Sequence, residues 1–293
     1  MSANEPDARA EISALGAALA AHLERAAEGG LSRVARARSD EKGAISAEKP
    51  PVSPVAVRPT TELVTELVPH APPKRAPSPA DPLVLENRRR AAACASLGEL
   101  RALVAGCRAC GLEATRTQTV FADGREGARV LFVGEAPGET EDLQGVPFVG
   151  AAGELLTDII QKGMGLPRAQ VYIANILKCR PPGNRDPAPA EKALCTPYLD
   201  RQIELVDPEL VIALGTHAAQ HLLGSELSIG RLRGKVHQFG RRKLVATYHP
   251  AYLLRTPGAK KDCWQDIQLA MRELGIAPPP RPAAPGDPGD PAR

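Results

Sequence analysis

A three-layer α/β/α fold around a central four-stranded parallel sheet is what this sequence predicts between about Leu85 and Ala277. Three observations predict it. Four short runs, "RVLFVG" (129–134), "QVYIANILK" (170–178), "PELVIALG" (208–215) and "RKLVATYHP" (242–250), are apolar without alternation, as strands covered on both faces are. Segments of helical period separate them, which makes the strands parallel. Glycines, prolines and lone polar residues gather just after the runs, at the carboxyl edge where such sheets bind ligands.

Taken in order, the chain begins with Ile12, Leu15, Leu19 and Leu23 at spacings of three and four, which predicts a short helix over 8–26, a face that an unidentified partner could cover. A tract rich in proline, alanine, serine and charge follows, with ten prolines from Pro50 to Pro82. It has too little apolar surface to offset chain entropy, so residues 1–84 are expected to be a disordered extension. Residues 278–293 read as a disordered tail for the same reason. Ser96 and Glu99 fit a capping box ahead of a helix reaching about Ala105. Helices are then expected over "AGELLTDIIQKGMG" (152–165), "PAEKALCTPYLDRQIELV" (189–206), "THAAQHLLG" (216–224) and "KKDCWQDIQLAMREL" (260–274). The segment 85–277 is thus the folded domain, expected to be a monomer.

Composition excludes less than it allows. A net charge of +3 is compatible with nucleic acid without requiring it. No run is apolar enough to span a bilayer, and "MSANEPDARAEI" lacks a secretory leader's pattern. The expected compartment is the cytoplasm, where thiols stay reduced, so six cysteines point to metal or chemistry rather than disulfides. Cys107 and Cys110 form a C-x2-C pair, and Cys179 and Cys195 have fifteen residues between them. Four thiolates in two pairs can close a metal or cluster site, and spacing alone leaves zinc and iron–sulfur both open. Cys94 and Cys263, each alone, read as small buried hydrophobes. The loop "VGEAPGETEDLQGVPFVGAAGELL" (133–156) carries glycines suited to close backbone approach, and its Phe148 suggests a flat ligand.

Four motifs in this order, "GEAPGETEDLQGVPFVGAAGELL", "VYIANILKCRPPGNRDP", "LVIALGTHAAQHLLG" and "TYHPAYLLR", together with the four spaced cysteines, resemble the type 4 uracil-DNA glycosylases. The resemblance spans about 97–274. It implies a [4Fe–4S] cluster on Cys107, Cys110, Cys179 and Cys195, and hydrolysis of the N-glycosidic bond of deoxyuridine in single- or double-stranded DNA. A uracil turned out of the duplex would then stack on Phe148, with Gly134, Ala136 and Gly138 letting the backbone come close. Asn175 would read its N3–H and O4, with Asn184 a rival. His249 would donate to O2 as negative charge develops there.

A carboxylate would handle the attacking water: Glu135 first, Glu141 second, with Asp142 capping the helix start. The best-known uracil-DNA glycosylases carry "GQDPYH" where this chain has "GEAPGE". Arg231, Arg233 and Arg255 are expected on DNA phosphates, with Arg180 and Arg185 also weighed, and Leu253 or Leu254 as an apolar wedge. His217 is the weaker histidine, read as a helix cap, and His237 carries no signal. No histidine lies between Asn175 and Cys195, so ordinary turnover is expected rather than covalent trapping. Two rivals remain: a non-catalytic DNA-binding iron–sulfur protein of replication or repair, and a zinc-stabilised nucleotide-binding domain. On the leading reading, residues 1–84 are dispensable for activity.

Overall fold

The computed structural model describes residues 80–277 and Pro279. The helix expected over 8–26, and residues 1–79, 278 and 280–293 of the two expected tails, lie outside the described residues; Pro82–Val84, expected to be disordered, are helical.

The first element is a helix that sequence reading passed over, α1 (Pro82–Ala93). Its signals were present: the Asp81 carboxylate accepts from Leu83 N–H at 2.9 Å, and proline takes the first helical position. Val84 and Asn87 are buried, and the Asn87 side chain donates to Leu194 O at 2.8 Å. Helix α2 (Leu97–Ala105) starts at Ser96, whose hydroxyl accepts from Glu99 N–H. The Glu99 carboxylate reaches back to Ala95 N–H.

The sheet has six strands rather than four, in the order β1-β3-β2-β4-β6-β5. The four expected strands form its parallel centre: β2 (Val130–Gly134), β3 (Tyr172–Asn175), β4 (Leu210–Leu214) and β6 (Arg242–Thr247). The additions are antiparallel edges, β1 (Asp123–Gly124) and β5 (Val236–Phe239). Two residues are too few to show a period. The residues of β5 are only partly covered, so no apolar run marks them. Every residue of β2, β3 and β4 is buried.

Alternate side chains enter opposite faces. Leu131, Val133, Tyr172, Ala174, Val211, Ala213, Leu244 and Ala246 share one core with α2, with α5 (Pro189–Val206) and with α6 (Thr216–Leu223). Phe132, Ile173, Ile212 and Val245 are fully buried on the other face, where α9 (Lys260–Leu274) packs against β4 and β6. Between these, the loop after β2 carries the short α3 (Glu139–Gln144) and α4 (Ala151–Asp158). The helix expected over 152–165 keeps α form only to Asp158 and continues as one wider π turn, Ile159–Gly163. The helices α7 (Ile229–Leu232) and α8 (Pro250–Arg255) complete the set. No helix among the described residues is long and apolar enough to cross a membrane.

Because α1 begins at Pro82, a chain cut at Leu85 loses its cap and the buried Val84. Those contribute about 1 kcal/mol and about 1.5 kcal/mol. A chain starting at Ala80 should therefore melt several degrees higher than one starting at Leu85, with both keeping the full-length chain's activity. Equal melting midpoints would show that α1's first turn adds no stability.

Candidate active site

The parallel register puts Gly134, the last residue of β2, beside Asn175, the last of β3. Pairing continues one step beyond, with Ile176 N–H on Gly134 O and Leu177 N–H on Glu135 O, both at 3.0 Å. This fixes the backbone on which Glu135 and Asn175 stand. A β-carbon on Gly134 would lie 2.4 Å from Asn175 Oδ1 and 2.5 Å from Phe148 Cζ. Only glycine lets these two side chains close over the strand end. Asn175 Oδ1 is buried and has no hydrogen-bond partner among the described residues, an uncommon state for a buried acceptor.

Phe148 is 6% exposed and has φ of +56°, a left-handed conformation costing an ordinary residue about 1–2 kcal/mol. Its neighbours over-determine it. Glu141 accepts from Val149 and Gly150 N–H at 2.9 Å through one oxygen and from Gly138 N–H at 3.1 Å through the other. Arg168 donates to Pro147 O at 2.9 Å while pairing with Asp123. Gly153 packs so tightly beneath that a β-carbon there would meet Phe148 O at 1.9 Å. Glu141, weighed above as a water-handling group, is thus occupied as a clamp on the two loops. Asp142 is buried and accepts from Thr117 N–H through both oxygens, an anchor rather than the expected helix cap. Ala136 packs against the core.

His249 caps α8, its Nδ1 accepting from Ala251 N–H at 3.2 Å. That bond leaves the ring proton on Nε2. Burial, with Arg255 adding, lowers its pKa to about 4, so the ring is a neutral donor at neutral pH. Its centroid lies 5.6 Å from that of Phe148. Gly215, at the end of β4 with φ of +89°, packs against His249 Cβ. Gly134, Phe148, Asn175 and His249 therefore form one contiguous group drawn from three strand ends and the loop after β2. Glu135 adjoins it, its carboxylate 3.8 Å from His217 Nε2 and its pKa raised by burial.

The expected DNA-facing residues divide. Arg231 and Arg255 are exposed. Arg233 is committed inward: it binds both oxygens of the fully buried Asp266 at 2.9 and 3.1 Å, donates to Asp262 O and lies over the Tyr248 ring. The same Asp266 accepts from Thr247 Oγ1 at 2.8 Å, which anchors the strand end before His249. The basic spelling "RLRGK" did not reveal an acid waiting 33 residues on. Leu253 is 1% exposed and belongs to the core, which removes it as a wedge; Leu254 (41%) and Tyr252 (39%) stand out instead. Arg180 and Arg185 pair with Glu139 and Glu191.

Cys107, Cys110, Cys179 and Cys195 line a single hollow with Arg116, Lys178 and Tyr198. Arg116 donates to Cys179 Sγ at 2.9 Å, Tyr198 Oη to Cys107 Sγ at 3.4 Å, and Lys178 N–H to Cys195 Sγ at 3.3 Å. Apart from this hollow, ligand atoms of Glu135, Asp186 and His217 lie within 4.8 Å of one another. Burial raises the thiol pKa of Cys110 to about 11 and raises those of Cys179 and Cys195. Lys178, missed in sequence reading, is 1% exposed. Its ammonium donates to Gln202 Oε1 and, at 2.7 Å, to Asn175 O. A lysine between an apolar strand and a cysteine, "NILKC", was the available signal.

Residues 121–268 match the model of the uracil DNA glycosylase superfamily. A type-4 uracil-DNA glycosylase of Sulfurisphaera tokodaii is 44% identical over 191 residues, covering 62% of this chain and 86% of that protein. One of Archaeoglobus fulgidus is 44% identical over 181 residues, covering 59% and 90%. One of Thermotoga maritima is 46% identical over 151 residues, covering 51% and 78%. With the family model spanning the strand-end cluster from Gly134 to His249, and these relatives covered over most of their length, the chain belongs to the uracil-DNA glycosylase superfamily, among its type 4 members.

Proposed function

We propose that this chain is a DNA repair hydrolase that releases free uracil from DNA and leaves an abasic site, through the cluster at the carboxyl edge of the sheet. The observation that carries this reading is Asn175 Oδ1, an unpartnered buried acceptor beside an aromatic ring. Uracil N3–H supplies the missing donor, and the amide nitrogen meets O4. Cytosine presents the opposite pattern and leaves both groups unpaired, which costs about 1–3 kcal/mol for each. Phe148 supports the base through its flat face.

The C1′–N1 bond breaks with its electron pair going to uracil, and His249 Nε2–H donates to O2 where the charge spreads. A neutral donor suits this step, since it need not lose a proton. Water adds to the oxocarbenium-like C1′. Its proton passes to the Glu135 carboxylate, whose raised pKa makes it a better acceptor. Glu141 acts through Phe148, as a positioning residue. Arg231, Arg255 and the exposed Leu254 and Tyr252 are the groups left to meet DNA.

The four cysteines fit a [4Fe–4S] cluster. Lys178 supports an anionic site: an ammonium held out of water costs several kcal/mol unless negative charge lies near, and Cys195 and Cys179 are the first groups to favour its charge. When bound, the cluster supplies four iron–sulfur bonds that tie the 107–110 turn to the segment after β3 and to α5.

The test is an oligonucleotide with one uracil, incubated with the protein and then treated with alkali. Strand cleavage at the uracil is expected. His249→Ala should lower kcat by about 100- to 1,000-fold, and Asn175→Asp should lower kcat/KM by about 100-fold. No cleavage by the intact protein would remove the reading and favour a non-catalytic DNA-binding role. Separately, Cys179→Ser should lose the brown visible absorption of the purified protein and lower its iron content. A colourless wild-type protein carrying zinc would overturn the cluster assignment.

A further inference from the structure

His217 was read from sequence as a helix cap, yet no side-chain bond caps α6. Its Nε2 lies 3.8 Å from Glu135 Oε2 and 3.7 Å from Asp186 Oδ2. Three chain segments meet here: the turn after β2, the loop before α5 and the first turn of α6. Glu135 and His217 have equally limited exposure, 28% of each side chain, whereas Asp186 is 85% exposed. The imidazole thus stands between an inner carboxylate beside Gly134 and an outer one in solvent. Its Nδ1 is buried and has no hydrogen-bond partner among the described residues, so Nε2 is the atom through which this ring acts on charge.

We propose that His217 is a positioning residue that holds Glu135 in place as a carboxylate for the water step, with Asp186 opposing it from the outer side. This rests on the reading of Glu135 as the group that handles water. A half-buried carboxylate beside a strand end tends to keep its proton, because leaving water disfavours the charged form. Burial is the leading influence on Glu135 and raises its pKa; His217 lowers it, Asp186 raises it, and Lys192 of α5 lowers it. His221, one turn along α6, feels the same Lys192 and is shifted down by burial. Asp186 from the loop before α5, Lys192 from α5 and His217 from α6 are thus the charged groups that act on Glu135.

The sign of the effect follows. Glu135 acts when ionised, so activity falls as pH drops through its pKa. Replacing His217 with a neutral residue raises that pKa and moves the acid limb of kcat/KM to higher pH. Replacing Asp186 lowers it and moves the limb the other way. A role confined to packing would lower activity at every pH and would not produce opposite movements.

The experiment records kcat/KM against pH on the uracil oligonucleotide, with cluster-loaded full-length protein, for wild type, His217→Gln, His217→Lys, Asp186→Asn and Glu135→Gln. The expected result is an acid limb displaced upward by about half a pH unit in His217→Gln. It should return toward wild type in His217→Lys, which places an ammonium beside Glu135, and move downward in Asp186→Asn. A limb that stays put in both His217→Gln and Asp186→Asn, or that moves downward in His217→Gln, overturns the proposal. Glu135→Gln separates the two claims. If it abolishes activity while His217→Gln leaves the limb in place, Glu135 keeps its role and His217 loses this one. If it retains wild-type activity and profile, the reading of Glu135 falls and the proposal falls with it.

Discussion

The absent side chain at Gly134 is the constraint on which the site depends. Parallel pairing brings the ends of β2 and β3 level, and level ends would ordinarily raise two side chains next to each other. Here one is missing, and the Phe148 ring edge and the Asn175 amide occupy its place. The amide acquires an apolar ceiling and loses contact with water. An acceptor in that state is costly until a donor is supplied, and this is the basis of the base-reading role proposed for Asn175.

Holding that arrangement takes more than the sheet. Phe148 sits in an unfavourable backbone conformation, which persists because Glu141, Arg168 and Gly153 each fix an adjoining atom. Lys178 extends the same logic to the cysteines. Its ammonium bonds to Asn175 O, and its own backbone N–H bonds to Cys195 Sγ. One buried residue thereby connects the cysteine-lined hollow to the strand end at Asn175. Whatever charge the sulfurs carry is felt within one hydrogen bond of Asn175.

Much of this was legible in the sequence, and the rest had physical reasons to be hidden. The central strands announced themselves because burial on both faces leaves only apolar residues. Asn175 and His249 were visible as lone polar residues at strand ends. Phe148 stood out in a glycine-rich loop. The edge strands were hidden because edges are short or half-covered and have no period. Arg233 and Leu253 were misread because a basic or apolar letter does not say which way it points. Asp266 turns the arginine inward, and the single helical turn of α8 turns Leu253 under and Leu254 out. His217 and Asp186 lie 31 residues apart, and only folding brings them to Glu135. Glu141 looked chemical because carboxylates in such loops can be; three backbone N–H groups had already taken it.

The most direct measurement is steady-state kinetics of Gly134→Ala on uracil-containing DNA, read beside its visible spectrum and melting midpoint. One methyl group there must displace Phe148 or Asn175. The account predicts a fall in kcat/KM of about 100-fold or more in a protein that keeps its colour and its cooperative melting. Wild-type kinetics in that variant would contradict it, because the aromatic ring and the amide would then not need the close approach that the strand end provides.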